Sequence, residues 1–255
     1  MIEARELSFS YGRTEVLKNI SLKLSKGRLY AVIGPNGSGK TTLIRLLSKL
    51  SKAADNSLFL EGKPYEKIDR KAFAKQVALL PQGRNVPSIS VYDLVACGRF
   101  PHLDFSRRLN EEDRRAVDSA LEATGACAFK NQSVKRLSGG ERQRVYIAML
   151  LAQATPFVLL DEPTTHLDIS AKFDVMKLLC DIRNSGKCVV AVLHDLELAL
   201  KYADEIILMS KGEIVSMGAP DEAVENKKLE SVFGVKCESI TLNGQTEFHF
   251  DENKN

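Results

Sequence analysis

Apolar and polar positions alternate at Leu7, Ser8, Phe9, Ser10 and Tyr11, the two-residue period of a half-buried strand. Gly12 then supplies a turn before a second extended stretch at 16–24, so an antiparallel ribbon is predicted. The run at 29–33 is unbroken and apolar, as are 77–80, 157–160, 189–193 and 206–209, and runs of this length read as buried strands; a further strand is predicted at 57–60. Between them the period changes to that of helices. Leu43, Ile44, Leu46, Leu47 and Leu50 form one apolar face, and shorter helices are predicted at 69–75, 90–97 and 196–202. A charged helix starts at the cap Asn110, runs through Glu111, Glu112 and Asp113 to Ala123, and is closed by Gly125. A further helix carries Val145, Ile147, Ala148, Leu150 and Leu151, and another runs to Arg183. Residues 61–64 and 211–213 read as turns, 235–250 as a small β appendage, and 251–255 as a frayed end. From 83 to about 135 the β pattern disappears, which predicts a helical subdomain inserted into an α/β core.

The most informative junction joins the run at 29–33 to the helix that follows. It reads Gly34-Pro35-Asn36-Gly37-Ser38-Gly39-Lys40-Thr41-Thr42, the Gly-x-x-x-x-Gly-Lys-Thr phosphate-binding loop between strand and helix. Glycines let successive N–H groups turn inward to phosphate oxygens, and the helix adds its positive end. Lys40 is expected to reach the β- and γ-phosphates and Thr41 to hold Mg²⁺. The alternative is a plain glycine-rich turn, and a nucleoside triphosphate is the favoured ligand.

Two acids, Asp161 and Glu162, follow the apolar run at 157–160. Ligands of open parallel sheets collect at the carboxyl edge of the strands. Asp161 is therefore expected in the Mg²⁺ shell, and Glu162 is expected to orient or deprotonate an attacking water. His194 ends another strand at the same edge, where it could meet a γ-phosphate or simply cap or pack. Tyr11 could stack on adenine or be one more core aromatic. Ser138, Gly139 and Gly140 open a helix and form a second potential anion site, although Ser138 followed by Glu141 also matches an ordinary capping box.

Composition narrows the partners. The 255 residues carry 36 Lys plus Arg against 33 Asp plus Glu, and a net charge of +3 gives no pull toward nucleic acid. Five scattered cysteines form no Cys-x-x-Cys pair, which excludes a disulfide framework or zinc site and suggests reduced thiols. The first residues have no apolar signal core, and no stretch approaches the ~18 consecutive apolar residues of a membrane span. A soluble chain that docks on a membrane protein is expected.

Taken together, the motifs resemble those of ATP-binding subunits of ABC transporters. They are the phosphate loop, Gln82, Leu137 to Gln143 (LSGGERQ), Val158 to Asp168 (VLLDEPTTHLD) and His194. The resemblance covers nearly the whole chain. It implies a single ABC ATPase domain: a P-loop NTPase core with an antiparallel β subdomain at about 1–82 and 146–234, a helical subdomain at about 83–145, and an appendage at 235–255. It further implies that Tyr11 stacks on adenine, that Gln82 joins the Mg²⁺ shell and His194 and Gln82 the catalytic group, and that Asp168 belongs to the ATP site. Ser138, Gly139 and Gly140 would bind the γ-phosphate of an ATP held by a second copy, which makes the working unit a homodimer.

A narrower resemblance, to importers of iron–siderophore complexes, haem or cobalamin, rests on Gly98-Arg99-Phe100-Pro101-His102, Thr165 to Asp168 (THLD) and His194 to Asp204 (HDLELALKYAD). It implies two polytopic transmembrane permease subunits, an extracytoplasmic substrate-binding protein and a peripheral place on the cytoplasmic face of the cell membrane. The segment from Gln82 and Arg84 to His102 would then transmit the ATP cycle to the permease. The rival is a soluble mechanical ABC ATPase, for example of iron–sulfur assembly. Tandem and coiled-coil types are disfavoured because only roughly fifty residues separate Gln82 from Leu137. The chain departs from common patterns at Asp55-Asn56-Ser57, which affects a loop length, and at Gly83-Arg84, beside the expected permease contact.

Overall fold

A computed structural model describes residues 1–83, 85–104, 108–242 and 245–252. In chain order the elements are β1 (Ile2–Tyr11), β2 (Thr14–Leu24), β3 (Leu29–Ile33), α1 (Lys40–Leu47), β4 (Leu58–Leu60), β5 (Lys63–Pro64), α2 (Arg70–Ala74) and β6 (Val77–Leu80). There follow α3 (Val91–Ala96), α4 (Glu111–Ala123), α5 (Gly139–Ala152), β7 (Phe157–Asp161), α6 (Ile169–Asn184), β8 (Cys188–Val192) and α7 (Leu196–Tyr202). The chain ends with β9 (Glu205–Ser210), β10 (Glu213–Gly218), α8 (Pro220–Glu225), α9 (Lys228–Phe233), β11 (Val235–Leu242) and β12 (Gln245–Glu252).

The central sheet has the order β10-β9-β3-β8-β7-β6, and only β10 is antiparallel to its neighbour. Its strands are apolar on both faces because both are covered. Leu29, Ala31 and Ile33 of β3 share one core with α5 and α6, whereas Tyr30 and Val32 share the other with α1 and the sheet β2-β1-β4-β5. Since β3, β8, β7 and β6 are parallel and adjacent in this order, the segments that leave their carboxyl ends emerge at one edge. Those segments begin with Gly34, Pro81, Glu162 and Leu193.

Several expected boundaries move. α1 ends at Leu47, and Leu50 is 61% exposed, so the apolar face stops a turn early. β1 begins at Ile2 and also pairs with β4, a length the Leu7–Tyr11 alternation did not reveal. Lys63 and Pro64, read as turn, fold back as β5 on β4. α8 and α9 stand between the core and the terminal hairpin and were not anticipated. That hairpin pairs Val235 with Glu252 and Lys236 with Asp251, so 251 and 252 are strand rather than frayed; 253–255 lie outside the described residues.

The largest correction concerns Arg99, which the resemblance placed at a contact with a partner. It is 3% exposed. Its Nε donates to Asp113 Oδ1 at 2.9 Å and its Nη1 to the carbonyl of Ala152 at 2.8 Å. His102 Nε2 donates to the carbonyl of Gln153, and Gln153 Nε2 donates in turn to Ala74 O, so one polar chain ties the 97–102 turn to the end of α5 and to the core. Gly98 makes this approach possible, because a Cβ there would lie 2.1 Å from Met149 O. Removing one partner of a buried ion pair leaves the other uncompensated. Arg99→Ala should therefore cost about 3 kcal/mol of stability in urea unfolding; a midpoint unchanged from the wild type would show the pair to be dispensable.

Candidate nucleotide site

The loop between β3 and α1 is built by close packing. Gly34 has φ 152°, and a Cβ on it would lie 2.2 Å from Met209 O and 2.8 Å from Ser38 Oγ, so no other residue is accommodated. Pro35, Asn36, Gly37 and Ser38 complete the turn, and Gly39 N-caps α1. Lys40 is buried with its Nζ donating to the carbonyls of Gly34 (2.8 Å) and Pro35 (2.9 Å), which keeps the ammonium inside the loop. Burial pulls the Lys40 ammonium below the ordinary lysine value, opposed by the charges of Glu162 and Asp161. Thr41 and Thr42 follow on the first turn of α1. Ser38 Oγ is buried with no hydrogen-bond partner among the described residues, and a phosphate oxygen would satisfy it.

Thr41 Oγ1 lies 3.4 Å from Asp161 Oδ1, longer than an ordinary hydroxyl–carboxylate bond. Burial pushes the Asp161 carboxyl up, and the Glu162 charge adds to this. A loosely joined hydroxyl and a buried carboxylate are oxygen donors of the kind Mg²⁺ takes alongside substrate phosphates and water. Among the described residues no group of three or more His, Cys, Asp and Glu side chains could hold a metal by itself.

Glu162 has φ 55°, an uncommon backbone for a side chain of this kind, and three donors converge on its carboxylate. Gln82 Nε2 reaches Oε2 at 2.7 Å from the end of β6, and Thr165 Oγ1 reaches the same oxygen at 3.1 Å. His194 Nε2 donates to Oε1 at 2.6 Å from beyond β8. Lys40, Thr41, Asp161, Glu162, Gln82 and His194, drawn from four separate stretches of sequence, thus stand at one edge. In the sequence Thr165 is only a position within the 158–168 and 165–168 motifs, with no role of its own; its signal was the three-residue spacing from Glu162.

The remaining residues sit elsewhere. Tyr11 ends β1, 50% exposed and edge-on to Phe9 at 4.9 Å, so it is not one more core aromatic. Ser138 caps α5: its Oγ accepts from Glu141 N at 3.3 Å, and Glu141 Oε2 accepts from Ser138 N at 2.8 Å. The capping box is therefore formed. The hydroxyl keeps its own proton to donate, and the N–H groups of Gly139 and Gly140 are first-turn donors with no intrahelical partner. Asp168 caps α6 by accepting from Ala171 N at 2.7 Å. Among the described residues neither Ser138, Tyr11 nor Asp168 is hydrogen-bonded to the Glu162 group. Gly139 nevertheless shares a cleft with Gln82, Glu162, Thr165 and Leu167. Arg84 lies outside the described residues.

Comparison with known proteins bears on this arrangement. A family model described as ABC transporter matches residues 17–165. The chain is 42% identical over 238 residues to the ferric enterobactin transport ATP-binding protein FepC of Escherichia coli (strain K12), spanning 92% of this chain and 88% of that protein. It is 37% identical over 242 residues to the iron(3+)-hydroxamate import ATP-binding protein FhuC of Bacillus subtilis (strain 168), spanning 94% and 90%. Among solved structures, the dimeric bacterial ABC transporter cassette MJ0796 superposes with a TM-score of 0.74 at 26% identity, over 86% of this chain and 99% of that one. The same cassette is also known as a post-hydrolysis dimer bound to ADP and Pi.

Proposed function

The chain belongs to the ABC transporter family of ATP-binding proteins and is an ABC-type ATPase, and from that premise we propose that it energises import of an iron chelate through separate transmembrane subunits. Two copies hold two ATP molecules between them and sit peripherally on the cytoplasmic face of the membrane. No helix among the described residues is long and apolar enough to cross a membrane, so the path for the chelate belongs to other chains. The observation that carries the substrate class is the similarity, along nearly the full length, to ATP-binding proteins named for ferric enterobactin and iron(3+)-hydroxamate transport.

The site's residues support a division of labour. The 34–42 loop cradles the phosphates, with Lys40 on the β- and γ-phosphates, and Tyr11 stacks on adenine. Thr41, Asp161 and Gln82 would hold Mg²⁺, which supplies positive charge to the phosphate oxygens. Glu162 takes the proton of the attacking water, while His194 steadies both the Glu162 carboxylate and the γ-phosphate. Ser138, Gly139, Gly140 and Asp168 cover the nucleotide of the second copy.

The test is uptake. A strain lacking this chain should fail to accumulate a ferric siderophore, and affinity-tagged chain should co-purify from membranes with a polytopic protein. Recovery with soluble partners alone, together with normal uptake, would instead favour a mechanical ATPase. Phe100 refines the test, because it is 61% exposed next to the anchored Arg99. If it docks on the permease, Phe100→Ala removes an aromatic anchor worth about 2 kcal/mol of binding. Uptake should then fall while basal ATPase stays unchanged; normal uptake would remove Phe100 from the interface.

A further inference from the structure

The left-handed backbone of Glu162, φ 55°, is strained for a residue with a Cβ, so the surrounding structure must hold it. Thr165 does so twice. Its N–H donates to the Glu162 carbonyl at 3.4 Å, and its hydroxyl donates to Glu162 Oε2 at 3.1 Å. One residue thereby closes the turn and restrains the side chain that the turn carries. Further along the same loop, Asp168 is bonded to the start of α6, and Leu167 packs 3.7 Å from where a Cβ on Gly139 would stand.

The bonds also distinguish the two carboxylate oxygens. Each can accept in two in-plane directions. Oε2 receives both Gln82 Nε2 and Thr165 Oγ1, whereas among the described residues Oε1 receives His194 Nε2 alone. An oxygen with both directions filled has no lone pair to offer to water. We propose that Thr165 is a positioning residue: by occupying Oε2 together with Gln82 it fixes the rotation of the Glu162 carboxylate, so that Oε1 is the oxygen that takes the proton from the attacking water. The proton goes to Oε1 as the water oxygen bonds to the γ-phosphorus and the bond to the β-bridging oxygen of ADP breaks. This rests on the reading of Glu162 as the base.

Thr165→Val keeps the branched shape and removes the hydroxyl, while Thr165→Ser keeps the hydroxyl. Both are made in the full chain, alone and with Glu162→Gln, and hydrolysis is measured at saturating Mg–ATP alongside ATP affinity and thermal midpoint. Thr165→Val should lower kcat about tenfold, as loss of a hydrogen bond to a charged group does, with affinity and midpoint unchanged. Thr165→Ser should stay within twofold of the wild type. In Glu162→Gln protein the Val substitution should cause no further loss, because there is no base left to position. Should Thr165→Val fold poorly, Thr165→Ala carries the same comparison. Normal turnover of the hydroxyl-free variant, an equal loss in Thr165→Ser, or a full additional loss in the Glu162→Gln background would each overturn the inference. Near-normal turnover of Glu162→Gln by itself would overturn the base assignment instead, and the two failures are thus told apart.

Discussion

Glu162→Gln is expected to bind Mg–ATP as the wild type does and to hydrolyse it ~10²–10⁴-fold more slowly, the span over which positioned general bases act. Gln has nearly the size of Glu and still offers a carbonyl oxygen to Gln82, Thr165 or His194, so the turn at 162–165 should persist. What it lacks is basicity. On the proposed reading the phosphate contacts come from the 34–42 loop, where the bonds of Lys40 do not involve Glu162. Affinity measured by isothermal titration calorimetry should therefore be unchanged, and ATP should accumulate in a stable dimer that cannot reset. Hydrolysis near the wild-type rate would remove Glu162 from the role of base and leave Asp161 or His194 to be considered.

The site was legible where sequence-local geometry determines it. A glycine-rich loop between a buried strand and a helix has one common use, and acids at the carboxyl end of a buried strand must lie where that loop emerges. The strands could be found because their apolar runs are continuous, a consequence of having a core on each face. Features created by contacts distant in sequence were not legible. Arg99 reads as a surface cation until α4 brings Asp113, and α5 brings the carbonyl of Ala152, against it. Leu50 continues a helical period that the chain abandons after Leu47. α8 and α9 are six residues each, too short for a period to stand out. For Ser138 the residues matched both a capping box and an anion site, and its bonds to Glu141 establish the first without removing the second.

The central claim is that two copies of this chain complete each other's nucleotide sites, and a mixing experiment tests it most directly. In the Glu162→Gln background, Lys40→Ala removes a charge-assisted phosphate contact, and Ser138→Arg puts bulk and a misplaced cation at the start of α5. The Ser138 change breaks no core, because Ser138 is exposed and loss of its cap alone costs only ~1 kcal/mol; Lys40 is buried, but among the described residues its ammonium bonds only the Gly34 and Pro35 carbonyls of its own loop. With Mg–ATP each protein by itself should sediment as a monomer, because both of its composite sites are defective. In a mixed dimer the two defects fall in one site, and the other pairs the intact loop of the Ser138→Arg chain with the intact Ser138 of the Lys40→Ala chain. The account predicts that mixing restores an ATP-dependent dimer in sedimentation velocity. A mixture that stays monomeric, with both proteins folded by circular dichroism, would contradict it.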